Sequence, residues 1–340
     1  MTADSRVLVK KTLDMGSPER IPRQIWILPW AEIHYPRAVQ SLCTRFPDDI
    51  VSAPALHRGP TGTRGDRYAL GEYVDEWGCR FSNPRNGIIG IARKPLISSW
   101  ADLDRFQPPQ SVLRLDTEEV NRFCRSTSQY VLSGSVVRPF ERLQFIRTME
   151  QALVDLAEQP PELFELLSLI HAHYQKEVEA WAKTEVDAIA LMDDWGTQSG
   201  PLLHPETFRR LFKPMYRDYV SIARTYGKRV FMHSDGHIID IIPDLIEVGI
   251  DALNAQIFCM GVEELGRRFR GRITFWGEID RQHLLVQGTR REIADAVESV
   301  WEHLYAEGGV IAQCEFGLEA NPANVQAVFE AWERLTPHRI

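Results

Sequence analysis

A chain of 340 residues with a formal charge of -8 offers no basic surplus for nucleic acid or an anionic membrane to recognise. Its 44% apolar and 25% charged residues suit one large α/β domain, and no apolar run approaches the roughly 20 residues of a membrane span. Five cysteines (Cys43, Cys79, Cys124, Cys259, Cys314) lie scattered without a CxxC pair, which predicts reduced thiols in a cytoplasmic protein rather than a disulfide framework. The polar stretch 1–11 lacks the apolar core of a signal peptide.

In chain order, residues 24–28 and 49–52 read as early strands. Residues 59–109 are rich in turn formers and aromatics, and predict a β-rich excursion with a connecting helix over one mouth of the fold. From residue 130 the patterns alternate. Strands are expected at 130–134, 187–192, 229–233, 252–256, 273–276 and 309–313. Helical patterns separate them at 141–158, 162–184, 205–226, 238–248, 261–270 and 290–306, with a last helix at 322–335. Short strands alternating with longer helices imply parallel strands joined by crossovers. The count predicts a single (β/α)8 TIM barrel over 1–340. A doubly wound open sheet is the alternative, and it lacks a GxGxxG or P-loop at any strand–helix junction.

In a barrel, polar residues just beyond the strands converge on one mouth. Here they are Asp193, Asp194, Trp195 and Gln198; His233 and Asp235; Asn254 and Gln256; Glu278 and Asp280; Cys314 and Glu315. His233, Cys314 and a carboxylate form one candidate zinc set, since zinc takes imidazole, thiolate and carboxylate donors. The same residues also suit a hydrogen-bonded core histidine and a small buried thiol. Asp193, Asp194 and Asp235 are candidate acid–base groups, and adjacent aspartates also cap helices. Trp195, Gln198, Gln256 and Glu278 are candidate substrate contacts.

Several motifs together resemble the uroporphyrinogen decarboxylase superfamily: MDDWGTQSG (192–200), HPETFRRLFKPMY (204–216), the run 227–256, RITFWGEIDRQHLLVQGT (272–289) and GGVIAQCEFGLEANPANV (308–325). DEWG (75–78) and KPL (94–96) look like its early section. The resemblance implies a (β/α)8 barrel. True decarboxylases carry an RQAGRY-type segment for porphyrinogen carboxylates; residues 20–35 here read RIPRQIWILPWAEIHY, with Arg20 and Arg23 but no RQAGR. A second branch comprises zinc methyltransferases that work with a corrinoid (cobalamin-type) protein. Their ligands are a His-x-Cys-Gly turn and a Cys ten residues before an Asn. His233 matches the first, Cys314 stands ten residues before Asn324, and Asp235 replaces the second cysteine.

The resemblance therefore implies zinc on His233, Asp235 and Cys314, with Glu278 or Glu315 as a further oxygen donor. The leading expectation is a methyltransferase or demethylase acting on a small organic substrate or thiol with a corrinoid partner. A metal-free carboxy-lyase and a non-catalytic corrinoid-binding scaffold are the alternatives. A homodimer is the fold-level expectation for its assembly.

Overall fold

The computed structural model describes residues 4–335. Among the described residues eleven strands run in chain order: β1 (Arg23–Ile27), β2 (Ile50–Ser52), β3 (Gly71–Val74), β4 (Arg80–Asn83), β5 (Ile91–Lys94), β6 (Tyr130–Val137), β7 (Ala188–Met192), β8 (Arg229–Ser234), β9 (Ala252–Ala255), β10 (Thr274–Trp276) and β11 (Val310–Phe316). Eight of them form one parallel sheet in the order β1-β11-β10-β9-β8-β7-β6-β2. The sheet comes round on itself at β1 and β2. There the Asp49 N–H donates to Arg23 O at 2.9 Å and Gln24 Nε2 donates to Ile50 O at 3.1 Å. This is the (β/α)8 barrel that the strand count predicts.

The excursion is β-rich, as read: β3, β4 and β5 make a separate antiparallel sheet, followed by the 3-10 turn Trp100–Arg105. It is tied to the barrel through Arg142 on the helix Pro139–Arg147. Asp75 folds into a tight turn by accepting the N–H groups of Trp77 (3.0 Å) and Cys79 (2.8 Å), and its other oxygen takes Arg142 Nη1 at 2.5 Å.

Differences from the sequence reading have local causes. The pattern over 141–158 is two helices, Pro139–Arg147 and Met149–Glu158, parted at Thr148, whose φ of 72° no helix accommodates. The helix expected from residue 238 begins only at Ile242, where a proline follows at its first turn. An unpredicted helix, Ser5–Leu13, closes the barrel floor. Its Val9 and Leu13 join the interior cluster formed by Ile50, Tyr130, Phe231 and Ile311. The last strand extends to Phe316 rather than ending at residue 313, which places Cys314 and Glu315 inside β11.

Side chains alternate between the two faces of each strand. Phe231 on β8, Ala252 on β9 and Ile311 on β11 point into the barrel, while Met232, Leu253 and Ala312 face the surrounding helices. That parity decides which polar residues reach the mouth.

Arg20 and Arg23 lie at the opposite end. Arg20 grips Asp49 through two bonds of 2.6 Å, and Arg23 bonds Pro47 O and Glu333. Beside them, burial pushes the Asp48 carboxyl up to about 7, outweighing the N–H of Ile25 and the charge of Arg23. The native state then keeps this proton well above the 3.8 at which an unfolded chain releases it. Stability at this site falls as pH rises through that interval. Asp48→Asn is expected to remove that slope and raise stability relative to the parent at pH 8, read from urea unfolding at pH 4 and pH 8.

Among the described residues no helix is long and apolar enough to cross a membrane, and all five cysteines are free thiols.

Candidate active site at the barrel mouth

His233 ends the inward row of β8 and is 7% exposed. Its Nδ1 lies 2.6 Å from Asn254 Oδ1 on β9. The amide of Asn254 is oriented by two donations from its Nδ2, one to Trp276 O and one to Gln313 Oε1 (3.0 Å). Its oxygen therefore faces the imidazole, so Nδ1 is the donor, and in the neutral ring Nε2 keeps a lone pair. Trp26 packs against the ring at 5.2 Å between centroids. Nε2 looks out at Asp194 Oδ1 (3.6 Å) and Asp235 Oδ1 (3.5 Å).

Two glycines bring those aspartates together. Gly236, at φ 82°, lies so close to Gly196 that a Cβ on it would fall 2.2 Å from the Gly196 carbonyl. Backbone touches backbone there, and the loops after β7 and β8 lock through Gly196 N–H to Asp235 O (3.1 Å). The Asp235 N–H in turn donates to Asp194 Oδ1 at 3.0 Å.

Arg281, three residues beyond Glu278, holds the other carboxylates. It bonds Asp235 through Nη2, Glu315 through Nη1 at 3.0 Å, and reaches Glu278 from Nε at 3.4 Å. Burial pushes the Glu278 and Glu315 carboxyls upward despite Arg281 beside them, with neighbouring acids adding to the effect. Those same acids outweigh burial at Arg281 and raise its own value. Gln198 Nε2 donates to Gln256 Oε1 at 2.6 Å, which also receives the Gly236 N–H. A cavity of about 210 Å³ opens beside this group.

The structure thus unites His233, Asp194, Asp235, Asn254, Gln198, Gln256, Glu278, Asp280 and Glu315 of the residues expected at the mouth. Three others lie elsewhere. Asp193 has the opposite parity to Asp194 and is fully buried outside the barrel. It accepts the N–H groups of Phe140 (3.1 Å) and Glu141 (2.7 Å) at a helix start and the hydroxyl of Tyr216 (2.5 Å). Trp195 stacks on Phe140 at 4.2 Å and donates to Tyr216 Oη, a core role with 2% exposure. Cys314, between the inward-facing Gln313 and Glu315, points at the helix layer with no exposure, and burial pushes its thiol up. It is not grouped with the His233 donors, so the expected His233–Asp235–Cys314 set is not assembled.

What the sequence reading missed is Arg281 and the Asn254–Gln313 support. Asn254 was visible at a strand end, whereas the three acidic partners of Arg281 come from separate strands.

Asp194, His233 and Asp235 place one donor atom each within 4.8 Å of one another. Among the described residues Asp235 Oδ1 is buried with no hydrogen-bond partner, and His233 Nε2 faces it. One nitrogen and two oxygens at that spacing fit a divalent cation.

A parallel barrel whose inward-facing histidine and carboxylates meet at the C-terminal ends of the strands defines the class: a (β/α)8 barrel with its ionisable groups gathered at the mouth. The chain belongs to the uroporphyrinogen decarboxylase (URO-D) family, whose model matches residues 74–335. No curated protein sequence matches it significantly. Among solved structures, a methyltransferase from Methanosarcina mazei is similar, with TM-score 0.68 and 15% identity over 97% of this chain and 98% of that one. A glycosylated endo-β-1,4-xylanase from Gloeophyllum trabeum follows at TM-score 0.45 and 10% identity, covering 95% and 99%.

Proposed function

We propose that the protein is a zinc-dependent methyltransferase or demethylase that moves a methyl group between a small organic substrate and a corrinoid cofactor. The observation that carries this reading is the meeting of the His233 Nε2 lone pair with Asp194 and Asp235, backed by the Asn254 hydrogen bond. The fold shared with the methyltransferase from Methanosarcina mazei supports it.

His233, Asp194 and Asp235 would hold the metal, with Asp194 taking the place expected for Cys314. Bound there, zinc supplies Lewis acidity that lowers the pKa of a coordinated heteroatom. Asn254 holds the imidazole in the tautomer that presents Nε2. Arg281 orients Asp235 by occupying Oδ2 and leaving Oδ1 turned toward His233. Gln198 and Gln256 form a polar wall that positions the substrate beside these groups.

The carboxy-lyase alternative receives less support. Uroporphyrinogen is a polycarboxylate, while Arg20 and Arg23 sit at the barrel floor and Arg281 is committed to three acids.

Metal analysis tests the reading. Purified protein is expected to hold about one equivalent of zinc, falling below about a tenth in His233→Ala and Asp194→Asn while Cys314→Ala retains it. Retention of metal by His233→Ala, or its absence from the parent protein after zinc loading, would overturn the assignment.

A further inference from the structure

We propose that Arg138 is the substrate-binding cation of the mouth, and that the substrate it takes carries a carboxylate. The proposal deepens the methyl-transfer reading by naming a substrate class, and rests on it only for the fate of the bound acid.

Strand parity places Arg138 at the mouth. Tyr130, Leu132 and Val136 of β6 pack into the barrel interior, and Arg138 is the next residue of that row. The register agrees. Val137 pairs with Leu191 and Met192 with His233, so Arg138, Met192 and His233 stand level at the ends of three neighbouring strands. Neighbouring strands lie about 4.8 Å apart, which puts about 10 Å between the backbone at Arg138 and that at His233.

The guanidinium is underused. Among the described residues its side chain makes one hydrogen bond, from Nη2 to Met192 Sδ at 3.1 Å, and a thioether is a weak acceptor. Glu141 Oε2 stands 3.5 Å from Nη1, beyond the roughly 2.7–3.2 Å of a well-formed bond, and accepts no hydrogen bond. Burial pushes the Glu141 carboxyl up against the pull of Arg138, which makes it a poor counter-charge. Nε and Nη1 of Arg138 donate to no acceptor, yet neither is buried, and the side chain keeps 11% exposure. At the end of an inward row, that exposure opens on the mouth. Arg281, by contrast, is divided among three acids.

A carboxylate reaching Arg138 replaces a sulfur acceptor with charged oxygens, and such charge-assisted bonds are about twice as strong as neutral ones. Two strands away, His233 faces the other end of the same molecule. That span suits a small acid. One guanidinium serves one carboxylate, not the several of a porphyrinogen.

Calorimetric titration with 3-methoxypropanoate and 4-methoxybenzoate, each against its uncharged primary amide, tests the proposal on chelator-treated and zinc-loaded protein. At least one acid is expected to bind about tenfold more tightly than its amide. Arg138→Met is expected to bring acid and amide level, and Arg138→Lys to return part of the preference by restoring charge without the fork. Arg138→Gln replaces the methionine variant should that one fail to fold. If the parent protein prefers neither acid over its amide, the carboxylate site is overturned. A folded, uncharged variant that keeps the preference overturns it too, and in zinc-loaded protein alone that result assigns the carboxylate to the metal. Acid binding that depends on Arg138, without methyl transfer to cob(I)alamin, would leave the site standing and remove the methyl-transfer reading.

Discussion

Arg281→Met is expected to weaken zinc binding by about 10–100-fold, the range found when a supporting partner of a metal ligand is lost. Arg281 touches Asp235, Glu315 and Glu278 from one partly buried position, with its side chain 20% exposed. Methionine keeps much of the volume and removes the charge, leaving three acids facing one another. Two of them, Glu278 and Glu315, are already pushed upward by burial, and Arg281 is what pulls them down. Its loss drives both further up, so protons take the place of the guanidinium. Asp235 then loses the contact that turns its Oδ1 toward His233. Competition with a chromogenic chelator gives the affinity, and Arg281→Lys should restore part of it by returning the charge without the fork. An unchanged affinity in Arg281→Met would remove Arg281 from the support of the site.

The second large effect is on stability. Arg142→Met is expected to cost about 3–5 kcal/mol, the range for removing one partner from a buried ion pair. Arg142 is 4% exposed, bonds Asp75, Glu76 and Tyr174, and lies over the ring of Trp77 at 4.6 Å. Asp75, at 7% side-chain exposure, would be left charged and unpaired in the turn that starts the excursion. Adding Asp75→Asn should recover a substantial part of the loss, because the neutral amide no longer demands a counter-charge. Urea unfolding of the two single variants and the double variant isolates the coupling. A cost below about 1 kcal/mol for Arg142→Met would show that the excursion is held by other contacts.

Much of the barrel was legible from periodicity alone, because buried parallel strands are short apolar runs between amphipathic helices. Every strand from residue 130 onward was found within a few positions. The site was legible only in part. His233 and Asp194 stand at the ends of inward rows, yet so near the end of a strand the two-residue repeat must be counted from its apolar interior. Counting inward from Ile311 gives Gln313 and Glu315, and places Cys314 outside. The same count from Ala188 and Ala190 separates Asp194 from Asp193. Spacing to Asn324 suggested a thiolate ligand where strand parity places a buried thiol.

The helix Ser5–Leu13 escaped notice because its lysines mask the apolar stripe formed by Leu8, Val9 and Leu13. Pairings such as Arg281 with Asp235 and Glu315 join residues far apart in sequence. Short-range pattern carries no trace of them.

β1 lies beside β11, pairing residues 23–27 with 312–316. During synthesis the first barrel strand therefore waits for almost the last segment to leave the ribosome. Until then the nascent chain presents two unpaired strand edges, β1 and β10, each a template for pairing with another chain. Such long-range closure slows folding and lengthens that exposure. Translation that stalls after β10 would release an open sheet rather than a smaller barrel, a natural substrate for chaperones and proteases.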